Sequence, residues 1–191
     1  MTTLPLNLLR ELRTDHAGET GAVMIYRGVL AISRDADVRK FAIHHLETEL
    51  RHLTLMEEVV STRWRSRLLP LWKMAGWLTG AVPALFGSRS VYATIQAVET
   101  FVDQHYALQV DMIDALLADT DNQNTHRQVT AQEKTPLQNL RALLVECQMD
   151  EVEHREDARA RWSGQANVFL RIWVYLVGNG SKKAVGVCRY V

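Results

Sequence analysis

The sequence is short of the residues that mark most alternative folds. Its 191 residues include two cysteines, four prolines and ten glycines. Cys147 and Cys188 make neither a disulfide scaffold nor a CxxC zinc site, and they suit a reducing compartment. So few turn formers, with little apolar–polar alternation, exclude a chain of many short strands. No charge dominates: Lys+Arg and Asp+Glu each number 22, for a formal net charge of zero. A nucleic-acid partner held by bulk charge is therefore not expected. The N-terminus has no basic segment leading into an apolar one, so no signal peptide is expected, and Glu11 and Asp15 argue against a transit peptide. The most apolar stretch, Leu68 to Gly87, is interrupted by Pro70, Lys73 and Pro83, which weakens a transmembrane reading.

What remains is helical. Apolar residues make up 47% and charged residues 23%, an ordinary globular balance. Apolar positions recur at steps of three and four. The spacing predicts helices over about Leu6–Ser33 and Ala36–Arg63, separated by the polar break SRDAD. An apolar connection follows over about 64–87, then a third helix over about Ser88–Leu117. Residues 118–135 are polar and read as a surface loop or frayed helix end. Thr135-Pro136 has the form of a helix start, with Thr as N-cap and Pro in the first turn. The fourth helix then runs to about Trp162 and is stopped by Ser163-Gly164. A short fifth helix covers about Asn167–Val177 and ends at the turn Gly178-Asn179-Gly180. Four long helices with one long connection predict an all-α, ferritin-like four-helix bundle with an apolar crossover and an extra C-terminal helix, forming one domain over residues 1–191.

Two ExxH units carry the chemistry: Glu49 with His52, and Glu151 with His154. Residues three apart share a helix face, so each pair can bind one ion together. One ExxH alone is weak, since Glu and His are common on solvated helix faces. The setting strengthens both. Each unit follows a helix with one Glu among small or apolar neighbours, Glu19 in HAGETGAV and Glu99 in IQAVETFV. A carboxylate on an apolar stripe needs a partner. Glu19 and Glu49 are each about 14 residues from the first turn, roughly 21 Å of helix, so a hairpin brings them level. The second half is longer between Glu99 and Glu151, and the polar 118–135 segment accounts for most of the excess. Four Glu and two His so ordered are the ligand set of di-iron and di-manganese carboxylate bundles. Imidazoles among the oxygen donors favour iron over magnesium or calcium, so two iron ions are expected.

The sequence resembles the demethoxyubiquinone hydroxylase family, ferritin-like di-iron monooxygenases of ubiquinone biosynthesis. The resemblance rests on LRTDHAGETGAVMIYRG, HHLETELRHL, LLPLWKMAGWLTGAVPALFG, QAVETFVDQHY and MDEVEH, and spans nearly the whole chain. DHAGE-x-GA is its most specific element. The resemblance implies metal ligands at Glu19, Glu49, His52, Glu99, Glu151 and His154. It also implies hydroxylation of a polyprenyl benzoquinol ring with O2 and a reductant (NADH acting directly is one candidate). A peripheral place on the membrane follows, on the cytoplasmic face or the mitochondrial inner membrane. Further partners would be a second copy or other proteins of ubiquinone biosynthesis.

Two further expectations concern the surroundings. Trp64, Trp72 and Trp77, with Arg63, Arg65, Arg67 and Lys73, have the composition of a helix lying on a lipid surface, though a buried crossover would use the same Trp and Leu. The segment FLRIWVYLV (169–177) shares that ambiguity. His16, Tyr26, His45, Asp103, His105 and Asp150 are placed to support the ligands. Asp103 is expected to accept from His52 or His154, and Tyr26 to donate a proton or pass an electron. His44, His126 and Cys147 receive no role. The competing readings are ferroxidase, peroxide scavenging or tRNA hydroxylation on the same scaffold, or a non-catalytic helical module that binds quinone or lipid.

Overall fold

The computed structural model describes residues 4–123, 131–162 and 166–191, and their regular structure is helical throughout. The helices are α1 (Leu6–Ile32), α2 (Ala36–Val59), α3 (Leu69–Ala84), α4 (Ser88–Gln123), α5 (Ala131–Ala160) and α6 (Val168–Cys188), with a 3-10 turn at Thr62–Trp64. The boundaries have local causes. The Asp35 carboxylate caps α2 by accepting from the amides of Asp37 (2.9 Å) and Val38 (3.1 Å). Asn167 caps α6 through the Leu170 amide at 2.8 Å. Gly87, at φ +94°, makes the left-handed turn from α3 into α4 that a side chain would strain.

The second half departs from expectation. Pro136 does not start its helix; it lies inside α5, which begins at Ala131. As the sixth residue of α5, Pro136 costs one intrahelical hydrogen bond, and the good helix formers in the AQEK stretch ahead of it still extend the helix backwards. Residues 118–135, expected as a surface loop or frayed helix end, are mostly regular helix, as α4 reaches Gln123 and α5 resumes at Ala131. The expected stop at Ser163-Gly164 lies outside the described residues, and α5 itself ends at Ala160. Gly178-Asn179-Gly180 is not a turn either, since α6 runs through it to Cys188. Asn179 and Ser181 donate back to the carbonyls of Tyr175 (2.8 Å) and Val177 (3.0 Å), which ties the glycine pair into the helix.

α1, α2, α4 and α5 form the ferritin-like bundle. Side-chain pairs fix its directions. Tyr106 reaches Glu19 while Tyr26 reaches Glu99, so α1 and α4 are antiparallel. His45 meets Asp157 and His52 meets Asp150, so α2 and α5 are antiparallel too. Two apolar layers fill the bundle. One holds Ile25, Tyr26, Phe41, Tyr92, Ile95 and Val98; the other holds Leu8, Leu12, Met56, Ile113, Leu140 and Leu144. On each helix the Glu or ExxH unit falls between the two layers.

α3 is the crossover, and it lies along α1 with backbones almost touching. A Cβ on Gly76 would sit 2.3 Å from the Gly21 carbonyl oxygen, and one on Gly80 would sit 1.9 Å from that of Ile25. Glycine is required at both positions by this approach. The outer side of α3 exposes Leu71, Met74 and Leu78, and the outer side of α6 exposes Phe169, Ile172, Tyr175 and Leu176. The crossover is therefore packed on one face and apolar towards solvent on the other. Gly80→Ala should push α3 off α1, costing about 1–3 kcal/mol as overpacking does, and should lower the thermal midpoint by roughly 2–12 °C in a scan followed by circular dichroism.

Candidate metal centre

All six expected ligand residues converge between the apolar layers, each at most 3% exposed. α1 supplies Glu19, α2 Glu49 and His52, α4 Glu99, and α5 Glu151 and His154. His52 Nδ1 lies 3.1 Å from Glu151 Oε1 and 3.7 Å from Glu19 Oε2. His154 Nδ1 lies 3.1 Å from Glu49 Oε1 and 3.3 Å from Glu151 Oε2. The donors fall into two overlapping groups, Glu19–Glu49–His52–Glu151 and Glu49–Glu99–Glu151–His154, each with its ligand atoms within 4.8 Å of one another. Glu49 and Glu151 belong to both. Two cations held here would share those two carboxylates.

The polar atoms themselves call for such cations. Both oxygens of Glu49, Glu19 Oε2, Glu99 Oε2, Glu151 Oε2 and His154 Nδ1 are buried without a hydrogen-bond partner. Leaving so many acceptors unpaired in an apolar interior is costly. Hard carboxylate oxygens with one imidazole per group suit a first-row divalent metal.

Burial and mutual repulsion push Glu49 and Glu99 well above the usual carboxylate range, and push Glu19 to about 7. Burial also opposes ionisation of Glu151, but the close imidazoles of His154 and His52 outweigh it and bring Glu151 to about 2. Against the same burial, Glu151 and the other carboxylates raise His52 to about 10 and raise His154. The cluster thus limits its buried charge by keeping protons on carboxyls and imidazoles.

The surrounding side chains divide as follows. Asp150 Oδ2 accepts from His52 Nε2 at 2.9 Å, which orients Nδ1 towards the cluster. Tyr26 donates to Glu99 Oε1 at 3.3 Å. His45 packs edge-on against His154, ring centroids 4.3 Å apart, and pairs with Asp157 at 2.9 Å. Asp103 does not serve either histidine. It sits at the α4–α5 seam, where it accepts from Gln148 (2.9 Å) and from Arg155. Four residues carry it about 40° around α4 from Glu99, enough to put the Arg155 cation within reach instead. His16 is buried near Glu57 at 3.8 Å and hydrogen-bonds to none of the six. His105 belongs to a different polar group on α1 and α4, with Thr14 and Asp15. Reading the sequence missed Tyr106, which donates to Glu19 Oε1. Its signal was present: Tyr106 follows Glu99 by seven residues, as Tyr26 follows Glu19. Burial and the carboxylates keep both phenols protonated and donating.

Beside the cluster lies a cavity of about 430 Å³ bounded by α1, α3, α4 and α6. Glu19, Glu99 and Glu151 reach its wall, and most of the rest is apolar or small, including Ala17, Gly18, Gly21, Ala22, Ala75 and Gly76. The chain is thus a ferritin-like bundle with a buried carboxylate–histidine cluster, fit for metal, opening onto an apolar cavity.

Comparison with known proteins agrees with that class. The family model described as ubiquinone biosynthesis protein COQ7 matches residues 7–188, and the chain belongs to that family. It is 34% identical to the 3-demethoxyubiquinol 3-hydroxylase of Rhodospirillum rubrum over 84% of this chain and 68% of the relative. It is 28% identical to the mitochondrial NADPH-dependent 3-demethoxyubiquinone 3-hydroxylase of Caenorhabditis elegans over 94% of this chain and 88% of the relative. The mouse protein of that name is 37% identical over 54% of this chain, which spans about half (49%) of the mouse sequence.

Metal binding must displace the protons held on Glu49, Glu99 and the two imidazoles. Because these groups hold protons above their ordinary ranges, affinity for Fe(II) should fall as the pH is lowered from 8 to 6. Calorimetric titrations in buffers of different ionisation enthalpy should show proton release on binding.

Proposed function

We propose that this protein hydroxylates the ring of a demethoxyubiquinol, a polyprenyl benzoquinol, using O2 and a reductant at a pair of iron ions that the carboxylate–histidine cluster would hold. One observation carries the reading above all: two overlapping ligand groups sharing Glu49 and Glu151 lie against an apolar cavity. A ferroxidase or peroxide scavenger has no need of such a cavity, and a tRNA base would not be drawn to apolar walls. The names of the bacterial and animal relatives state the same ring hydroxylation.

Glu19, Glu49 and His52 with Glu151 would hold one iron, and Glu99 and His154 with the shared carboxylates the other. When bound, reduced iron supplies the activation of O2 for insertion of one oxygen atom. The protein's own groups do the rest. Tyr26 and Tyr106 hold Glu99 and Glu19 in place by hydrogen bonds across the bundle. Asp150 fixes the His52 ring. The apolar layers on either side exclude water from the reacting centre. The cavity orients the quinol ring towards Glu19, Glu99 and Glu151.

The substrate's prenyl tail points to a lipid surface. Among the described residues no helix is long and apolar enough to cross a membrane. The exposed apolar sides of α3 and α6 flank the cavity and would rest on the bilayer, leaving the tail in lipid while the ring enters. Relatives named NADPH-dependent support a reduced nicotinamide as electron source.

Two experiments test the reading. Purified protein should bind about two irons per chain. Glu49→Ala and Glu151→Ala should abolish iron loading with helical circular dichroism retained, and neither should restore ubiquinone in a host lacking its own hydroxylase, whose extracts accumulate the demethoxy precursor. A variant with full iron and full complementation would remove the proposal. Gly18→Leu probes the cavity separately. A side chain there enters open space, since no atom lies within 4 Å of the added Cβ. It should keep iron loading and lose most turnover by occupying the quinol's place.

A further inference from the structure

Apart from the cluster's glutamates and Tyr106, the titratable side chains on the cavity wall are Asp15, His105 and Cys188. The Cys188 thiol is directed to the Arg13 carbonyl at 3.8 Å. Asp15 and His105 form a buried polar group of their own. Asp15 lies one helical turn before Glu19, and His105 lies beside Tyr106, so the pair sits next to the cluster on the same wall.

The hydrogen bonds settle which nitrogen of His105 carries a proton. Thr14 Oγ1 gives its hydrogen to the Glu11 carbonyl at 2.7 Å. It must therefore accept from His105 Nε2, 2.8 Å away. Asp15 Oδ1 lies 3.3 Å from the same Nε2 and is itself held by the Gln109 amide at 2.7 Å. Nε2–H is thus committed to α1. Among the described residues Nδ1 makes no hydrogen bond, yet it is not among the buried atoms without a partner, so it has access to open space. The open space beside His105 is the cavity. An imidazole whose N–H is held by a hydroxyl with a carboxylate beside it, and whose other nitrogen is free on a cavity wall, is arranged as a general base.

We infer that His105 takes the proton of a ring hydroxyl of the bound quinol, with Asp15 as the positioning residue behind it. This rests on the quinol reading above. In the step the ring O–H bond breaks and an Nδ1–H bond forms. The electron pair stays on the ring oxygen, and the new imidazolium is compensated by Asp15. The quinolate is more electron-rich at its ring carbons than the quinol, which favours oxygen insertion at the free carbon. The charged groups facing His105 are Asp15 and Glu11 from α1 and Arg189 beyond α6, which is paired with Glu11 at 2.7 Å. Burial works against protonating His105, but the Asp15 hydrogen bond and charge, with Glu11, outweigh burial and Arg189 and raise its proton affinity.

The test follows single turnovers of the ferrous-loaded full chain mixed with O2 and a short-chain demethoxyubiquinol, with hydroxylated product measured against pH. A base must be unprotonated, so the wild-type rate should rise with pH along an acid limb. His105→Gln should lower the rate about 100-fold and abolish that limb, as loss of a general base does, with iron content and helicity retained. Asp15→Asn removes the charge that favours protonation, so its acid limb should move to lower pH, a shift that a purely structural role would not produce. An H105Q rate within about threefold of wild type with the limb intact, or a D15N midpoint left in place, would overturn the inference alone. Wild-type protein that loads iron but forms no hydroxylated quinol would overturn the quinol reading and this inference with it.

Discussion

Four carboxylates and two imidazoles placed at the centre of an apolar bundle set the terms for the whole fold. Ionised groups in such an interior are costly unless paired and fully hydrogen-bonded. Here the described protein groups do not complete the pairing, because both Glu49 oxygens and one each from Glu19, Glu99 and Glu151 have no donor. The apolar layers on either side bring only the Tyr26 and Tyr106 hydroxyls, which reach Glu99 and Glu19. Compensation has to come from protons or from cations. The raised Glu49 and Glu99, beside raised His52 and His154, are the proton solution. A pair of divalent ions would satisfy the same atoms and let every carboxylate ionise.

The partners cross between the halves of the chain. His52 of the first half meets Glu151 of the second, and His154 meets Glu49. Tyr26 holds Glu99, and Tyr106 holds Glu19. Each half carries a Glu followed seven residues on by Tyr, then an ExxH. Neither half completes a ligand group alone. The sharing of Glu49 and Glu151 follows from this exchange, since each ExxH carboxylate faces the imidazole of the other half as well as its own.

The first half of the chain was nearly transparent in the sequence. Glu19 and Glu49 lie about equally far from a short polar break, so level ligands followed from helical rise alone. In the second half the same spacing was obscured by a polar stretch that folds largely into α4 and α5, because charged and amide side chains on an exposed helix resemble a loop in composition. Pro136 and Gly178-Asn179-Gly180 misled for a related reason. Turn signals describe local preference, and the side-chain bonds of Asn179 and Ser181 that override it at α6 depend on the helix already being formed. Asp103 shows the limit of face arguments. Its register towards Glu99 was read correctly, while the competing cation, Arg155, sits on another helix and has no signature near it in sequence.

The repeat between the halves is also where the bundle becomes one-sided. Moving from Glu19 to Glu99 shifts position by 80, and the same shift carries Tyr26 to Tyr106. Applied to Asp15 it arrives at Ile95, and run backwards from His105 it arrives at Ile25. The polar pair therefore has no counterpart around the centre. Small residues are unequally shared as well, because Gly18 and Gly21 correspond to Val98 and Phe101. α1 thus withdraws from the space that α4 fills, and the cavity opens against α1, with α3 and α6 as its outer walls. The opposite face, between α2 and α5, is laced by Arg51 to Glu146 and Asp150, and by His45 and Arg161 to Asp157. A cluster symmetric in its carboxylates and imidazoles thus meets the cavity on the α1 side, and DHAGETGA is the segment that sets this side. It places Glu19 of the cluster, the polar neighbour Asp15 and the small residues of the cavity wall on consecutive turns of one helix.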